Sequence, residues 1–256
     1  MANRVRIIRG HSWAERLQEE LTQSPLSPLE WMEEHTKIVK SSTNGLSGLL
    51  RLDDEVCFLK YYRFTSPLHR ILFDLGFARP LHNFTAARDL GAQGVAVPRP
   101  LACLQVPQGM LLLIEGLSGP GNLEEVWRRQ PTDEEALRLM RCAGESLATL
   151  HQSGYAHGNC KWDNLFWDGH RVCLIDLDDA RRSAAGGEAQ ARDLARFTAN
   201  AERFEIGLEK YAPFLDAYLQ GVNESRREVT QRMLPILVQL RKKNLASHGP
   251  RGQRLV

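Results

Sequence analysis

Residues 157–179 read HGNCKWDNLFWDGHRVCLIDLDD, and three kinds of signal meet in this one window. A polar loop holding His157, Lys161 and Asn164 comes first. Two short apolar runs follow, Asn164–Trp167 and Arg171–Ile175, with Asp168-Gly169 between them as a hairpin turn. Two carboxylates, Asp176 and Asp178, sit just past the second run. An amide and a carboxylate on neighbouring strand ends make a pincer of oxygen donors. Magnesium prefers oxygen and takes only one or two ligands from a protein, drawing the rest from phosphate and water. Asn164 and Asp176 are therefore the predicted metal holders, and Asp178 either takes a second ion or orients the first. His157 braces the loop. Lys161 reaches a transferring phosphoryl group and offsets charge there.

Working back towards the N-terminus, Thr36–Val39, Leu49–Leu52 and Val56–Tyr61 have strand patterning. The small-residue stretch Ser41–Gly48 reads as the first turn between them and Asp53-Asp54 as the second. Gly45 and Gly48 would let backbone N–H groups of the first turn approach a triphosphate. Lys60 lies inside the apolar strand VCFLKY, so its side chain must leave the sheet on one face and find an anion. The functional reading is a clamp on α- and β-phosphates. Residues 63–81 read as a loop with a short helix. Asn83–Gln93 is a helix stopped by Gly94, with Phe84, Ala87 and Leu90 on its apolar face. Strands Leu101–Gln105 and Met110–Ile114 follow. Ahead of all this, Val5–Ile7 alternates like an edge strand, and Ser12–Leu21 and Ser27–Glu34 read as helices that pad the sheet.

Residues 115–121, EGLSGPG, break the pattern. They read as a hinge whose Glu115 carbonyl and Leu117 N–H would meet adenine. Helices are expected from there on: Asn122–Arg129, then Thr132–Ser153 with Thr132 and Glu135 as a capping box, then Glu188–Phe204, Lys210–Leu219 and Arg226–Lys243. The basic tail reads as frayed and solvated, or drawn to an anionic membrane face. The expected organisation is an extension over 1–36, a strand-rich lobe over 37–114, the hinge, a helical lobe over 122–245, and the tail over 246–256. The predicted class is α+β, with a small antiparallel sheet lobe plus one helix and a larger helical lobe.

The 256 residues are 43% hydrophobic and 25% charged, an ordinary globular composition. A net charge of +2 gives no reason to expect nucleic acid. The longest apolar run, Met110–Ile114, is strand-sized, far short of the roughly 20 residues that span a bilayer. The first residues lack the apolar core of a secretory signal. Five scattered cysteines without C-x-x-C spacing suggest reduced thiols in a cytosolic protein. Cys160 lies inside the loop, where it is a bystander or, less readily, a reactive thiol.

The spacing His157…Asn164 followed by Asp176 matches the catalytic and metal loops of protein-kinase-like phosphotransferases, H-x-D-x-x-x-x-N and then a strand-end aspartate. Within that superfamily the chain resembles the lipopolysaccharide core (Kdo/heptose) kinases of Gram-negative bacteria. The resemblance rests on FLKYYR around Lys60, NFTAARDLGAQGVAVPRPLA, the hinge, YAHGNCKWDNLFW, VCLIDLDDAR and ARDLARFTAN. It implies a two-lobed kinase-like fold, ATP and Mg²⁺ as cofactors, and a sugar hydroxyl of the lipopolysaccharide inner core as acceptor. It also implies work in the cytoplasm at the inner face of the inner membrane. No protein partner is predicted.

Two positions depart from the family pattern. Asn159 stands where an aspartate would accept the acceptor's proton, and Asn83 where a glutamate would pair with the strand lysine. Both replace a carboxylate with an amide. Three readings of Asn159 stay open: a slow kinase in which Asp163 or Asp178 takes the proton, a nucleotide-binding pseudokinase with a regulatory or scaffolding role, or a change introduced at this one position. An aminoglycoside-type phosphotransferase would use the same loop, but no dense acidic cluster near the C-terminus accompanies it.

Overall fold

The structure, a computed structural model, describes residues 5–66, 71, 78–248 and 254–256. The chain divides into two compact units, Met1–Asp89 with Pro98–Leu117, and Leu90–Val97 with Ser118–Val256. Leu90–Val97, which the sequence groups with the strand-rich half, thus belongs to the helical unit.

The first unit holds β1 (Arg6–Arg9), α1 (Ser12–Gln23), α2 (Pro28–His35), β2 (Thr36–Ser42), β3 (Gly45–Leu52) and β4 (Glu55–Arg63). Next come α3 (Arg79–Ala92), whose last turn lies in the second unit, then β5 (Pro100–Val106) and β6 (Gly109–Glu115). The strands form one antiparallel sheet in the order β1-β5-β6-β4-β3-β2. Successive strand residues point to opposite faces, and here both faces are covered. Cys57, Leu59, Tyr61, Leu111 and Leu113 pack with Leu17, Leu21, Trp31 and Met32 of α1 and α2. Phe58, Tyr62, Met110, Leu112 and Ile114 pack with Phe84 of α3. A strand buried on both faces has no need of polar alternation, which is why β6 reads MLLLI. The helix α2 begins at a full capping box, Ser27 with Glu30, and has a proline in its first turn.

The first turn is smaller than the sequence suggests. Only Thr43 and Asn44 lie outside the strands, and Gly45 and Gly48 belong to β3, opposite Tyr62 and Leu59. A side chain at Gly45 would run into the Tyr61 carbonyl, and a Cβ at Gly48 would lie 2.6 Å from Thr36 Oγ1. Close strand packing therefore accounts for both glycines. The predicted loop and short helix over 63–81 fall largely on 67–70 and 72–77, outside the described residues.

The second unit contains β7 (Gly121–Asn122), α4 (Leu123–Arg128), α5 (Asp133–Gln152), β8 (Tyr155–Ala156), β9 (Leu165–Trp167), β10 (Val172–Leu174) and β11 (Arg181–Arg182). It closes with α6 (Glu188–Arg203), α7 (Leu208–Val222) and α8 (Arg226–His248). Trp162, Phe197, Tyr211, Phe214 and Tyr218 are fully buried among them. At the start of α5 the Thr132 hydroxyl accepts from Glu135 N–H, the first half of the expected capping box. The tail differs from expectation. α8 continues to His248, and the Glu202 carboxylate accepts from Arg241 and from Leu255 N–H, so that Leu255 is buried. Among the described residues no helix is long and apolar enough to cross a membrane.

Two glycines make contrasting tests of this packing. A Cβ at Gly144 of α5 would strike the Phe214 carbonyl of α7, whereas one at Gly91 of α3 meets only Val97 Cγ2 at 3.8 Å. Gly144→Ala should lower stability by about 1–3 kcal/mol through overpacking. Gly91→Ala should raise it by roughly 0.5–1 kcal/mol through helix propensity. Urea unfolding midpoints of the two variants check both signs.

Candidate active site

The loop from His157 to Asn164 hangs from a buried carboxylate. Asp193 of α6 is wholly buried. Its Oδ2 accepts from His157 N–H at 2.6 Å and its Oδ1 from Gly158 N–H at 3.0 Å. His151 Nε2 lies 3.4 Å from Oδ2, and His151 Nδ1 is 2.8 Å from the Tyr218 hydroxyl. Burial pushes that tyrosine's pKa up, so the hydroxyl stays protonated and can donate into the chain. An anion out of water needs such donors to be tolerated. Gly158 has φ +78, and a side chain there would strike the Asp179 carbonyl. Only glycine brings the loop this close to the segment that carries Asp176 and Asp178.

His157 is fully buried and ties the loop to that segment. Its Nε2 donates to the Ile175 carbonyl at 3.0 Å, and its Nδ1 accepts from Asn159 N–H at 3.3 Å. Asn164, also buried, donates from Nδ2 to the Asn159 carbonyl at 2.9 Å, while its own carbonyl accepts from Ile175 N–H at 3.0 Å. The amide nitrogen is thus committed within the loop, and Oδ1 makes no hydrogen bond among the described residues. Asp176 follows Ile175 directly and adopts the left-handed region, φ 60 and ψ 60. Aspartate is one of the few non-glycine residues that enter this region readily, and Asp53 and Asn223 do so here as well. Asp176 and Asp178 are half-buried, and a single 3-10 turn, Leu177–Asp179, lies between Asp176 and β11.

Asn159 has a partner that the sequence reading leaves out. Its Oδ1 accepts from Arg196 Nη1 at 2.7 Å. Asp193 and Arg196 are three residues apart on α6, so one helix face supplies both the loop's anchor and the contact to Asn159. A signal was present: Asp193 stands beside the apolar stripe Leu194, Phe197 and Ala201, where a carboxylate demands a buried partner. Lys161 and Asp163 are exposed and line a cavity of about 210 Å³. The Trp162 ring between them stacks on Phe204 and lies edge-on to Trp127.

The other candidate residues lie in the first unit. Lys60 is half-buried on the α3 side of the sheet, its Nζ 5.2 Å from the centre of the Tyr62 ring. Asn83 is buried in the second turn of α3, four residues after the helix begins. Glu115 ends β6, and its carboxylate accepts from Arg99 N–H at 3.1 Å. Gly116 N–H is bonded to the Val56 carbonyl, whereas Leu117 N–H has no partner among the described residues. Gly45 and Gly48 lie in β3. The site residues therefore form two groups: Gly45, Gly48, Lys60, Asn83, Glu115 and Leu117 in one unit, and His157, Asn159, Lys161, Asp163, Asn164, Asp176 and Asp178 in the other.

The sequence model of the "Lipopolysaccharide kinase (Kdo/WaaP) family" matches residues 29–218. The chain belongs to this family. Its members are lipopolysaccharide kinases. Among solved structures, "WaaP in complex with acyl carrier protein" superposes with a TM-score of 0.63 at 18% identity, covering 95% of this chain and 99% of that one. At that identity the likeness speaks for the fold, and it bears out the kinase-like α+β class. No curated protein sequence matches.

Two measurements follow from the loop's construction. Asp193→Asn leaves two buried N–H donors facing an amide in place of a carboxylate. It should cost roughly 1–3 kcal/mol or more, read as a lowered urea midpoint, and it should speed hydrogen exchange at His157 and Gly158. The thiols give the second. Cys160 is fully buried and burial holds its pKa well above the ordinary thiol range. Cys57 is pushed up to about 11 and Cys103 to about 12, again by burial. Only Cys142 is half-exposed, and burial raises it too. A disulfide reagent should therefore titrate one thiol in the native protein, faster as pH rises, and five after unfolding. Fast native labelling of Cys160 would restore the reactive-thiol reading.

Proposed function

We propose that the chain transfers the γ-phosphoryl group of ATP to a sugar hydroxyl, heptose or Kdo, of the lipopolysaccharide inner core. The observation that carries this is the backbone pairing of Asn164 with Ile175, which brings Asn164, its amide nitrogen committed to the Asn159 carbonyl, next to the segment that carries Asp176. That donor set fits a magnesium ion: an amide oxygen and a carboxylate, both hard ligands. Among the described residues no three His, Cys, Asp or Glu side chains converge, so an ion here would take its remaining oxygens from phosphate and water. Asn164 and Asp176 would hold it, with Asp178 beside them. When bound, it would neutralise charge on the phosphates. Lys60 would clamp the α- and β-phosphates, with Asn83 as an uncharged neighbour that cannot neutralise it. The Glu115 carbonyl and Leu117 N–H would meet adenine. His157 positions the loop. Lys161 offsets charge on the group in flight, a role that rests on placement and electrostatics.

Asn159 cannot take a proton from the acceptor at neutral pH, and losing a general base costs about 10²–10⁴ in rate. Asp163 or Asp178 would take it, giving a slow kinase. The contact from Arg196 favours a second reading, because it commits the Asn159 oxygen to a cation. On that reading the chain is a pseudokinase that binds nucleotide and acts through a partner. The acyl carrier protein in the WaaP complex makes a carrier protein our candidate partner. Work on an inner-core acceptor would place the chain in the cytoplasm, peripheral to the inner membrane.

Mg²⁺-dependent thermal stabilisation by ATP is expected on both readings, and its absence would sink both. Asp176→Ala should abolish that stabilisation and any transfer. Arg196 already stands where a carboxylate at 159 would find a counter-charge, so Asn159→Asp should fold normally. It should raise kcat by about tenfold or more, towards the general-base range, with KM for ATP little changed. Stabilisation without transfer in both the parent and Asn159→Asp would select the pseudokinase.

A further inference from the structure

The cavity beside the loop adds to Lys161 and Asp163 polar residues that the transfer machinery does not use. It is lined by Lys161 and Asp163 from the loop, Glu124 from α4, Arg203 from α6 and Asn244 from α8. Among the described residues the Lys161, Asp163 and Asn244 side chains make no hydrogen bond or ion pair within the protein. Glu124 is held in place, 2.7 Å from Arg128 and 3.9 Å from Arg203. Trp162, packed between Trp127 and Phe204, fixes the floor from which Lys161 and Asp163 project. The site is thus a hollow with polar groups at its rim that have no partner among the described residues, and it shares two residues with the transfer loop.

The geometry points to this cavity as the subsite for one sugar ring of the acceptor, read through its hydroxyls. The inference rests on the transfer reaction proposed above and places its second substrate. A hydroxyl both donates and accepts, and the lining offers both: cationic donors in Lys161 and Arg203, carboxylate acceptors in Asp163 and Glu124, and an amide in Asn244. A bare phosphate or carboxylate would meet two carboxylates here. The volume of about 210 Å³ is below the roughly 300–1,000 Å³ of pockets for drug-sized ligands, which suits one ring of a longer acceptor. Lys161 belongs to both sites, so a ring seated here brings its hydroxyl to the loop that serves the phosphoryl group.

Asn244 tests the assignment, since it lies outside the loop and is half-buried on a helix. Asn244→Ala removes the amide, and Asn244→Phe fills the hollow. With labelled Mg·ATP and a delipidated heptose–Kdo inner-core oligosaccharide, Asn244→Ala should raise KM for the oligosaccharide by about tenfold, one hydrogen bond's worth. Asn244→Phe should prevent saturation. KM for ATP and the thermal shift with Mg·ATP should stay within about twofold in both, which also reports that both fold. Unchanged oligosaccharide KM in the two variants would overturn the assignment. If the parent transfers nothing yet is stabilised by Mg·ATP, the transfer reading fails by itself. Saturation-transfer NMR with the same oligosaccharide then decides the subsite: a signal lost in Asn244→Phe supports it, and no signal, or one the variant keeps, overturns it.

Discussion

The Asp193 carboxylate is out of reach of water, so its charge must be met by the protein. It is met by two backbone N–H groups of the His157–Gly158 turn and, more distantly, by His151. That requirement works in both directions. The anion makes the turn adopt one conformation, and the turn makes a buried anion tolerable. Everything downstream inherits the geometry. His157 then reaches the Ile175 carbonyl, Asn164 pairs with Ile175, and Asp176 follows in the left-handed region.

Arg196 extends the same logic from anchor to chemistry. A guanidinium held 2.7 Å from Asn159 Oδ1 suits a carboxylate at that position as well as it suits an amide. The surroundings of position 159 thus suit an amide and a carboxylate alike. Phosphoryl transfer depends more on placement and charge than on covalent help from the protein. No hydrogen bond that holds the loop depends on a charge at 159.

The first unit rests on a different constraint, a sheet covered on both faces. α1 and α2 are not decoration on a finished lobe; Leu17, Leu21, Trp31 and Met32 share one buried cluster with the strands. Lys60 lies on the opposite face, among Phe58, Tyr62 and the residues packed against α3. The same alternation that buries Leu59 and Tyr61 therefore turns Lys60 towards the side that carries Asn83.

What the sequence determined by itself was whatever depends on near neighbours. The strands, the Thr132 cap of α5, the Asp53-Asp54 turn and the H-x-x-x-x-x-x-N loop with its following aspartate all rest on spacings of a few residues. Even there it misjudged Gly45 and Gly48, because glycine in a turn and glycine in a crowded strand look alike until the neighbouring strand is known. Only the tertiary structure decided the contacts that cross long stretches of chain: Asp193 to His157, Arg196 to Asn159, Glu202 to Leu255, and the hollow that joins Lys161 to Asn244. Burial is the reason. A charged residue on a helix reads as solvated until packing removes the water, and only then does it need the partner that the fold brings to it.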